Sequence, residues 1–228
     1  MRLTKPSPVH TNQFKAIIFD MDGVIVDSEP LHEQSFLEVW DNMGYRDNHG
    51  INFSEFYGRS DRVVWEEFIK KHNPNKTIDE LMVLREKRLI ELIRDKKPIF
   101  RGVLNLIQEL ASTYPLGLAS GSIHRIIDEV LNMQDLRKYF NCITSSEDVA
   151  MPKPSPEIFL LTAKRLNIEA KDCCVIEDTV NGIRAGKLAG MNVIAITNTF
   201  SSEELIKAGA DSICENYLEI SNKISIIK

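Results

Sequence analysis

"FKAIIFDMDGVIVDSEP", residues 14–30, decides how the rest of the chain is read. Ala16-Ile17-Ile18-Phe19 is an unbroken apolar run that stops at Asp20, with Asp22 two residues on and Gly23 after it. A run that is apolar at every position suits a strand buried on both faces, as in a parallel sheet. Two carboxylates at the end of such a strand repel each other, and a purely structural strand has no use for them. A metal ion, or a phosphoryl group to be moved, accounts for both.

Further apolar runs recur along the chain: "LGLAS" (116–120), "CITSS" (142–146), "CCVIE" (173–177) and "NVIAIT" (192–197). Between them, "GVLNLIQELAS" (102–112), "SPEIFLLTAKRLN" (155–167) and "TVNGIRAGKLAG" (179–190) carry helical periodicity. Strands alternating with helices predict an α/β fold built on a doubly wound parallel sheet. Residues 31–97 break the alternation with helical patterns only, so an α-helical cap domain is inserted after the first strand, and "KPIFRG" (97–102) is the return linker. The expected division is a core of residues 14–30 and 99–228, a cap of residues 31–98, and a flexible leader of residues 1–13. Ligands of open α/β sheets bind at the carboxyl ends of the strands, so an insertion leaving there is placed as a lid.

Composition narrows the function. The 228 residues are 43% hydrophobic, enough for a full core, and 28 basic against 33 acidic residues leave a net charge of −5. That balance lacks the basic excess of a nucleic-acid binder, and no apolar stretch approaches the ~20 residues of a membrane span. The leader has no apolar segment and does not read as a signal peptide. Cys142, Cys173, Cys174 and Cys214 show no C-x-x-C spacing and read as apolar filler; free thiols suit a reducing cytosol, so a cytoplasmic location is expected.

Four groups fall at strand ends or helix starts: Asp20/Asp22, Ser120, Lys153 and Glu177/Asp178. Together they suit phosphoryl transfer. An ionised Asp20 can attack phosphorus and form an aspartyl-phosphate. Asp22 is close enough to protonate the leaving oxygen and later to deprotonate the incoming one. Asp178, with Glu177, would complete an oxygen-ligand site for Mg²⁺, and the Ser120 hydroxyl and Lys153 ammonium would hold phosphoryl oxygens. Paired carboxylates ending the buried "CCVI" run are costly to desolvate unless a cation is near.

"FDMDGVIVDSEP", "LASGS", "KPSPEIF" and "VIEDTVNGIRAGKLAGM" resemble, in order, the four motifs of the haloacid dehalogenase superfamily. The match is to the branch with a helical cap after the first strand, the branch of beta-phosphoglucomutase and related sugar-phosphate phosphatases, and it covers the whole chain beyond the leader. The resemblance implies a Rossmann-like core, Asp20 as nucleophile and Asp22 as general acid/base. It implies Mg²⁺ held by Asp20, the Asp22 backbone carbonyl and Asp178 with Glu177 nearby, and Ser120 and Lys153 as phosphate holders. Two positions depart from the pattern: Pro152 stands where Gly is common before the lysine, and Thr179 where Ser is common, which keeps a helix-capping hydroxyl.

Gly121 and Ser122, in the same loop as Ser120, join the substrate-binding candidates; helix capping is the alternative for either serine. Ser28 matches a hydroxyl near the catalytic Asp pair in the mutase, or is a helix N-cap before Pro30. His32 matches a mutase histidine that couples substrate binding to acid/base positioning, or is a helix-surface residue. "FYGRSDRVVW" (56–65) matches the loop by which the cap reads its substrate, but its arginines stand at Arg59 and Arg62, displaced from the mutase pattern. Either can grip the far end of a substrate or stay exposed. The charges of "REKRLIELIRDKK" (85–97) read mostly as a solvated helix face, with Lys87 the one considered for the cleft.

The sequence thus predicts an Mg²⁺-dependent phosphotransferase acting through an aspartyl-phosphate on a small phosphorylated metabolite, foremost a sugar-phosphate phosphatase. The alternative is a beta-phosphoglucomutase-type mutase; a catalytically dead binding module and a phospho-acceptor switch are rivals from other classes. No nucleic acid, membrane or required protein partner is expected, and the chain is expected as a monomer or weak dimer.

Overall fold

The computed structural model describes residues 14–56 and 60–226. At its centre lie β1 (Ala16–Phe19), β2 (Leu116–Ala119), β3 (Cys142–Thr144), β4 (Cys173–Glu177), β5 (Asn192–Ile196) and β6 (Ser212–Cys214). They form one sheet in the order β3-β2-β1-β4-β5-β6, and every neighbouring pair runs parallel. Strand order reverses between β1 and β4, so a crevice opens at their carboxyl ends. β6 has no counterpart among the five apolar runs of the sequence, because three residues inside "DSICEN" are too few to show a pattern.

The period of a strand explains why the β1 run is apolar throughout. Ile17 and Phe19 face one layer, built from α4 (Val103–Ala111), α5 (His124–Asn132) and α9 (Tyr217–Ile226). Ala16 and Ile18 face the other, built from α6 (Glu157–Leu166), α7 (Val180–Leu188) and α8 (Ser202–Ala208). Both faces are covered, so neither set can be polar. The thiols of Cys173, Cys174 and Cys214 are buried in this packing, and burial pushes the Cys214 thiol up to about 11, which keeps it a protonated, apolar filler.

The insertion folds as α1 (Glu29–Asn42), α2 (Asp61–His72) and α3 (Ile78–Lys96) around Phe36, Trp40, Trp65 and Phe68. Phe36 and Trp65 stack with ring centroids 5.0 Å apart. Thr77 and Glu80 form a capping box that starts α3. The helix serves both parts of the molecule: Leu81 belongs to the cap cluster, while Leu89, Ile90, Leu92 and Ile93 pack in the same cluster as Ile17 and Phe19. The two linkers are stitched together at the neck, where Asp27 N donates to Pro98 O at 2.8 Å and Phe100 N to Ile25 O at 3.1 Å. Arg125 of α5 also reaches Glu86 of α3 at 2.9 Å. Among the described residues no helix is long and apolar enough to cross a membrane.

Candidate active site

Asp20 directly follows β1 and continues its pairing, its N–H donating to Ile176 O at 3.0 Å. Glu177 ends β4 and Asp178 follows, so the sheet alone brings three carboxylates to the point where strand order reverses. All three are buried, with exposures of 5%, 0% and 1%. Lys153 enters from the loop before α6 and spends its three donors there: Asp20 Oδ1 at 2.5 Å, Glu177 Oε1 at 2.8 Å and Ala119 O at 3.2 Å.

Burial drives the Asp20 carboxyl up to about 8; Lys153 opposes this, while repulsion from Glu177 and Asp22 adds to it. Asp178 is likewise raised well above the ordinary range, first by burial and then by Glu177 and Asp20. Lys153 is the mirror case: burial disfavours its charge, but Asp20 and Glu177 outweigh burial and hold its ammonium above the usual range. Three carboxylates against one ammonium leave an excess of two negative charges in a buried space.

That excess fits a divalent cation. Ligand oxygens of Asp20, Glu177 and Asp178 lie within 4.8 Å of one another. Asp178 Oδ2 accepts from the Thr199 hydroxyl, but its buried Oδ1 has no hydrogen-bond partner among the described residues. Oxygen donors and an orphaned carboxylate oxygen suit Mg²⁺. Glu177 stands apart from the other two, because both its oxygens are already engaged. Oε2 accepts from Asp178 N at 2.8 Å, Thr179 N at 2.7 Å and Thr179 Oγ1 at 2.9 Å, and Oε1 takes the lysine. Its present bonds organise the turn into α7, where the Thr179 hydroxyl caps Gly182 N at 3.0 Å, as the sequence led one to expect.

Two glycines exist for close approach. Gly23, at φ +78, passes so near Asp178 that a Cβ would stand 1.9 Å from its Oδ2. At Gly182 a Cβ would stand 1.6 Å from Glu177 Oε1. Gly182→Ala therefore displaces the Glu177 carboxylate and with it Lys153. We expect a loss of about 2 kcal/mol in urea unfolding and a fall in any turnover. An unchanged unfolding midpoint would show that the glycine is not needed.

Asp22 lies on the other side of the crevice mouth and has different partners. Ser28 donates to its Oδ1 at 2.7 Å, and Ser122 and Ser120 to its Oδ2 at 2.9 and 3.2 Å. Burial alone would raise this carboxyl, but the His32 ring, Ser28 and Ser122 together hold it well below the usual range. Ser28 precedes α1 at the N-cap position, yet its side chain makes no capping bond and serves Asp22 instead. Ser120 likewise contacts Asp22 rather than the carboxylate cluster, and its oxygen accepts from Ser122 N at 3.0 Å. Gly121 is exposed, with open space where a Cβ would be.

The cap candidates divide. His32 reaches the site, with Nε2 3.5 Å from Asp22 Oδ1. Arg62 does not: it turns to Asp79 at 3.1 Å on an exposed part of the cap. Arg59, with Tyr57 and Gly58 and the leader of residues 1–13, lies outside the described residues. Lys87 is exposed on α3.

One reading of the charged helix needs correcting. Arg85 is not on a solvated face: it is 2% exposed, its guanidinium lies 4.8 Å over the Phe36 ring, and it binds His32 Nδ1 and Asp61. Its signal was in the pattern, since Arg85 falls four residues from both Leu81 and Leu89 on the buried stripe of α3. A long side chain can bury its stem there and bring its charge to a partner across the helix interface. Asp61 and Thr199 gave no comparable signal; each is an ordinary residue near a helix start or in a loop.

A model of the haloacid dehalogenase-like hydrolases matches residues 17–196. The chain is 32% identical over 186 residues to hexitol phosphatase B of Escherichia coli (strain K12), across 81% of this chain and 84% of that protein. It is 28% identical over 190 residues to fructose-1-phosphate phosphatase YqaB of the same organism, across 81% of this chain and 97% of that one. Among solved structures it is similar to beta-phosphoglucomutase from Clostridium difficile, with a TM-score of 0.76 at 24% identity, covering 94% of this chain and 100% of that one. At that identity the likeness speaks for the fold.

Proposed function

Since the chain belongs to the haloacid dehalogenase-like hydrolase family, we propose that it is an Mg²⁺-dependent phosphatase of small sugar or sugar-alcohol phosphates, working through an aspartyl-phosphate on Asp20. The observation that carries this reading is the meeting of two unlike carboxylates at one sheet edge. Asp20 sits in a buried cluster with Lys153, Glu177 and Asp178, and Asp22 in a cradle of three serines.

In the proposed reaction an Asp20 oxygen bonds to phosphorus as the bond to the ester oxygen breaks, and Asp22 gives that oxygen its proton. The first half needs Asp22 protonated, and a monoester that arrives still carrying its own proton supplies it. In the second half a water oxygen attacks phosphorus, its proton passes to Asp22, and the bond to Asp20 breaks. Asp20, Asp178 and the Asp22 backbone carbonyl, with Glu177 beside them, would hold Mg²⁺, which when bound supplies positive charge against the phosphoryl oxygens. Lys153 adds a second positive charge at Asp20, and Ser120 and Ser122 orient Asp22.

The cap supports hydrolysis over the mutase. A bisphosphate intermediate needs a cation free for its second phosphate. Among the described residues, Arg85 is held by Asp61 and His32, and Arg62 by Asp79. Glu29, whose carboxyl is raised first by burial, stands within electrostatic reach of His32, Asp22, Asp61 and Arg85. Carboxylates and an imidazole suit sugar hydroxyls.

A panel of hexitol phosphates, fructose 1-phosphate and beta-glucose 1-phosphate, with and without Mg²⁺, tests the reading by following free phosphate and glucose 6-phosphate separately. Phosphate release that needs Mg²⁺ is expected. Glucose 6-phosphate formed without phosphate, in the presence of a trace of glucose 1,6-bisphosphate, would replace the phosphatase with a mutase. Silence across the panel would return the dead-site rival.

A further inference from the structure

The buried arginine of the cap reaches the core through one residue. Arg85 sits on α3, contacts His32 on α1 and Asp61 at the start of α2, and so ties the three cap helices at one point. His32 alone carries this contact onward: its Nδ1 meets Arg85, and its Nε2 faces Asp22 Oδ1 across 3.5 Å.

The chemistry of the partners decides where the proton on His32 sits. A guanidinium has five N–H donors and no acceptor, and it stays charged. Nδ1 of His32 must therefore be the acceptor, bearing a lone pair, and the ring is neutral with its proton on Nε2. A proton on Nδ1 would set donor against donor and place positive charge beside Arg85. The other anchor of the arginine is Asp61, whose Oδ1 is 4.0 Å from the same Nδ1, so guanidinium and carboxylate brace that edge of the ring together. Nε2 has no hydrogen-bond partner among the described residues, and it is buried. It is a donor held short of its acceptor, pointed toward Asp22 from the cap.

We infer that Arg85 and Asp61 are positioning residues that hold His32 as a neutral Nε2–H donor aimed at Asp22, so that the cap orients the proposed acid/base carboxylate. The inference rests on the proposed phosphatase reading for its kinetic consequence and on hydrogen-bond chemistry alone for the state of the ring. Ser28 already donates to the same Asp22 oxygen at 2.7 Å. A second donor from His32, engaged as the cap settles on substrate, fixes the rotation of the carboxylate about its last bond. Arg85 and Asp61 touch neither substrate nor reacting atoms; they act through the imidazole.

The test is the tautomer, read from long-range nitrogen–proton spectra of protein labelled with ¹⁵N-histidine in the presence of Mg²⁺, with His32→Gln assigning the resonance. His32 is expected as the Nε2–H tautomer in the wild type and in Arg85→Lys, because an ammonium also only donates. Arg85→Met is expected to release it to a mixture of tautomers. With the best ester of the panel, Arg85→Met should lower kcat by about ten-fold or more while KM stays within about two-fold, and Arg85→Lys should restore most of the loss. A wild-type Nδ1–H tautomer overturns the inference, as does an Arg85→Met protein with unchanged tautomer or unchanged kcat. Should Arg85→Met fail to fold, the wild-type spectrum still decides, and Asp61→Asn, altered at a partly exposed position, is expected to shift kcat in the same direction. If no ester is hydrolysed, the phosphatase reading fails while the tautomer still tests the placement of the proton.

Discussion

Asp20→Asn removes turnover by a factor on the order of 10⁴ or more and leaves the protein folded. An amide oxygen is a poor nucleophile, and the proposed reaction has no second group at that place: Asp22 is turned to Ser28, Ser120 and Ser122, and Glu177 is engaged by Lys153 and the α7 turn. The fold is expected to survive because the substitution takes one negative charge out of a buried cluster that holds too many. Burial, together with Glu177 and Asp22, already pushes the Asp20 carboxyl up to about 8 against the pull of Lys153. In the absence of divalent metal the variant should therefore melt no lower than the wild type. Turnover within ten-fold of wild type in a protein freed of wild-type contamination would remove Asp20 from the role of nucleophile.

Lys153→Met should unfold at a markedly lower urea concentration, with a loss of about 3–5 kcal/mol. Lys153 is the cation that the described residues supply to Asp20, Glu177 and Asp178, and its side chain is 12% exposed. Without it the charges cannot be hydrated and must either be neutralised by protons or repel. Mg²⁺ should return part of the loss, since a ligand bound only to the native state stabilises it by mass action, about 2.7 kcal/mol at a hundred-fold excess over its dissociation constant. That recovery separates a charge effect from a packing effect, because the methionine also changes the contact of the ammonium with the Phe159 ring. Turnover should be lost even where Mg²⁺ restores stability, since the lysine is also proposed to steady the phosphoryl oxygens. An unfolding midpoint equal to that of the wild type would mean that the three carboxylates are not ionised together.

The carboxylates of the site were legible because each ends an apolar run. Asp20 after "AIIF" and Glu177 after "CCVI" contradict their surroundings, and such a contradiction is visible without a fold. Their meeting followed from the topology class, since parallel strands with crossover helices bring all strand ends to one edge. The partners were not legible. Nothing in "AMPKPSP" says that Lys153 binds Asp20 and Glu177 rather than solvent, and nothing in "LASGS" says that Ser120 and Ser122 turn to Asp22. Arg85 was read with its charged neighbours because "REKRLIELIRDKK" is dense in charge, and the burial of one of them depends on what α1 and α2 present to it.

By itself the sequence determined the α/β class, the place of the helical insertion and the identity of the acidic groups at the strand ends. These depend on periodicity and on local conflicts of polarity, which neighbouring residues carry between them. Tertiary structure alone decided that α3 is shared between cap and core, that Glu177 braces a turn, that Arg62 faces away while Arg85 faces in, and that His32 meets Asp22. Hydrogen bonds and ion pairs are short-ranged, and these join residues up to 133 positions apart, as between Asp20 and Lys153. Which side chains meet over such separations is set by how the layers pack.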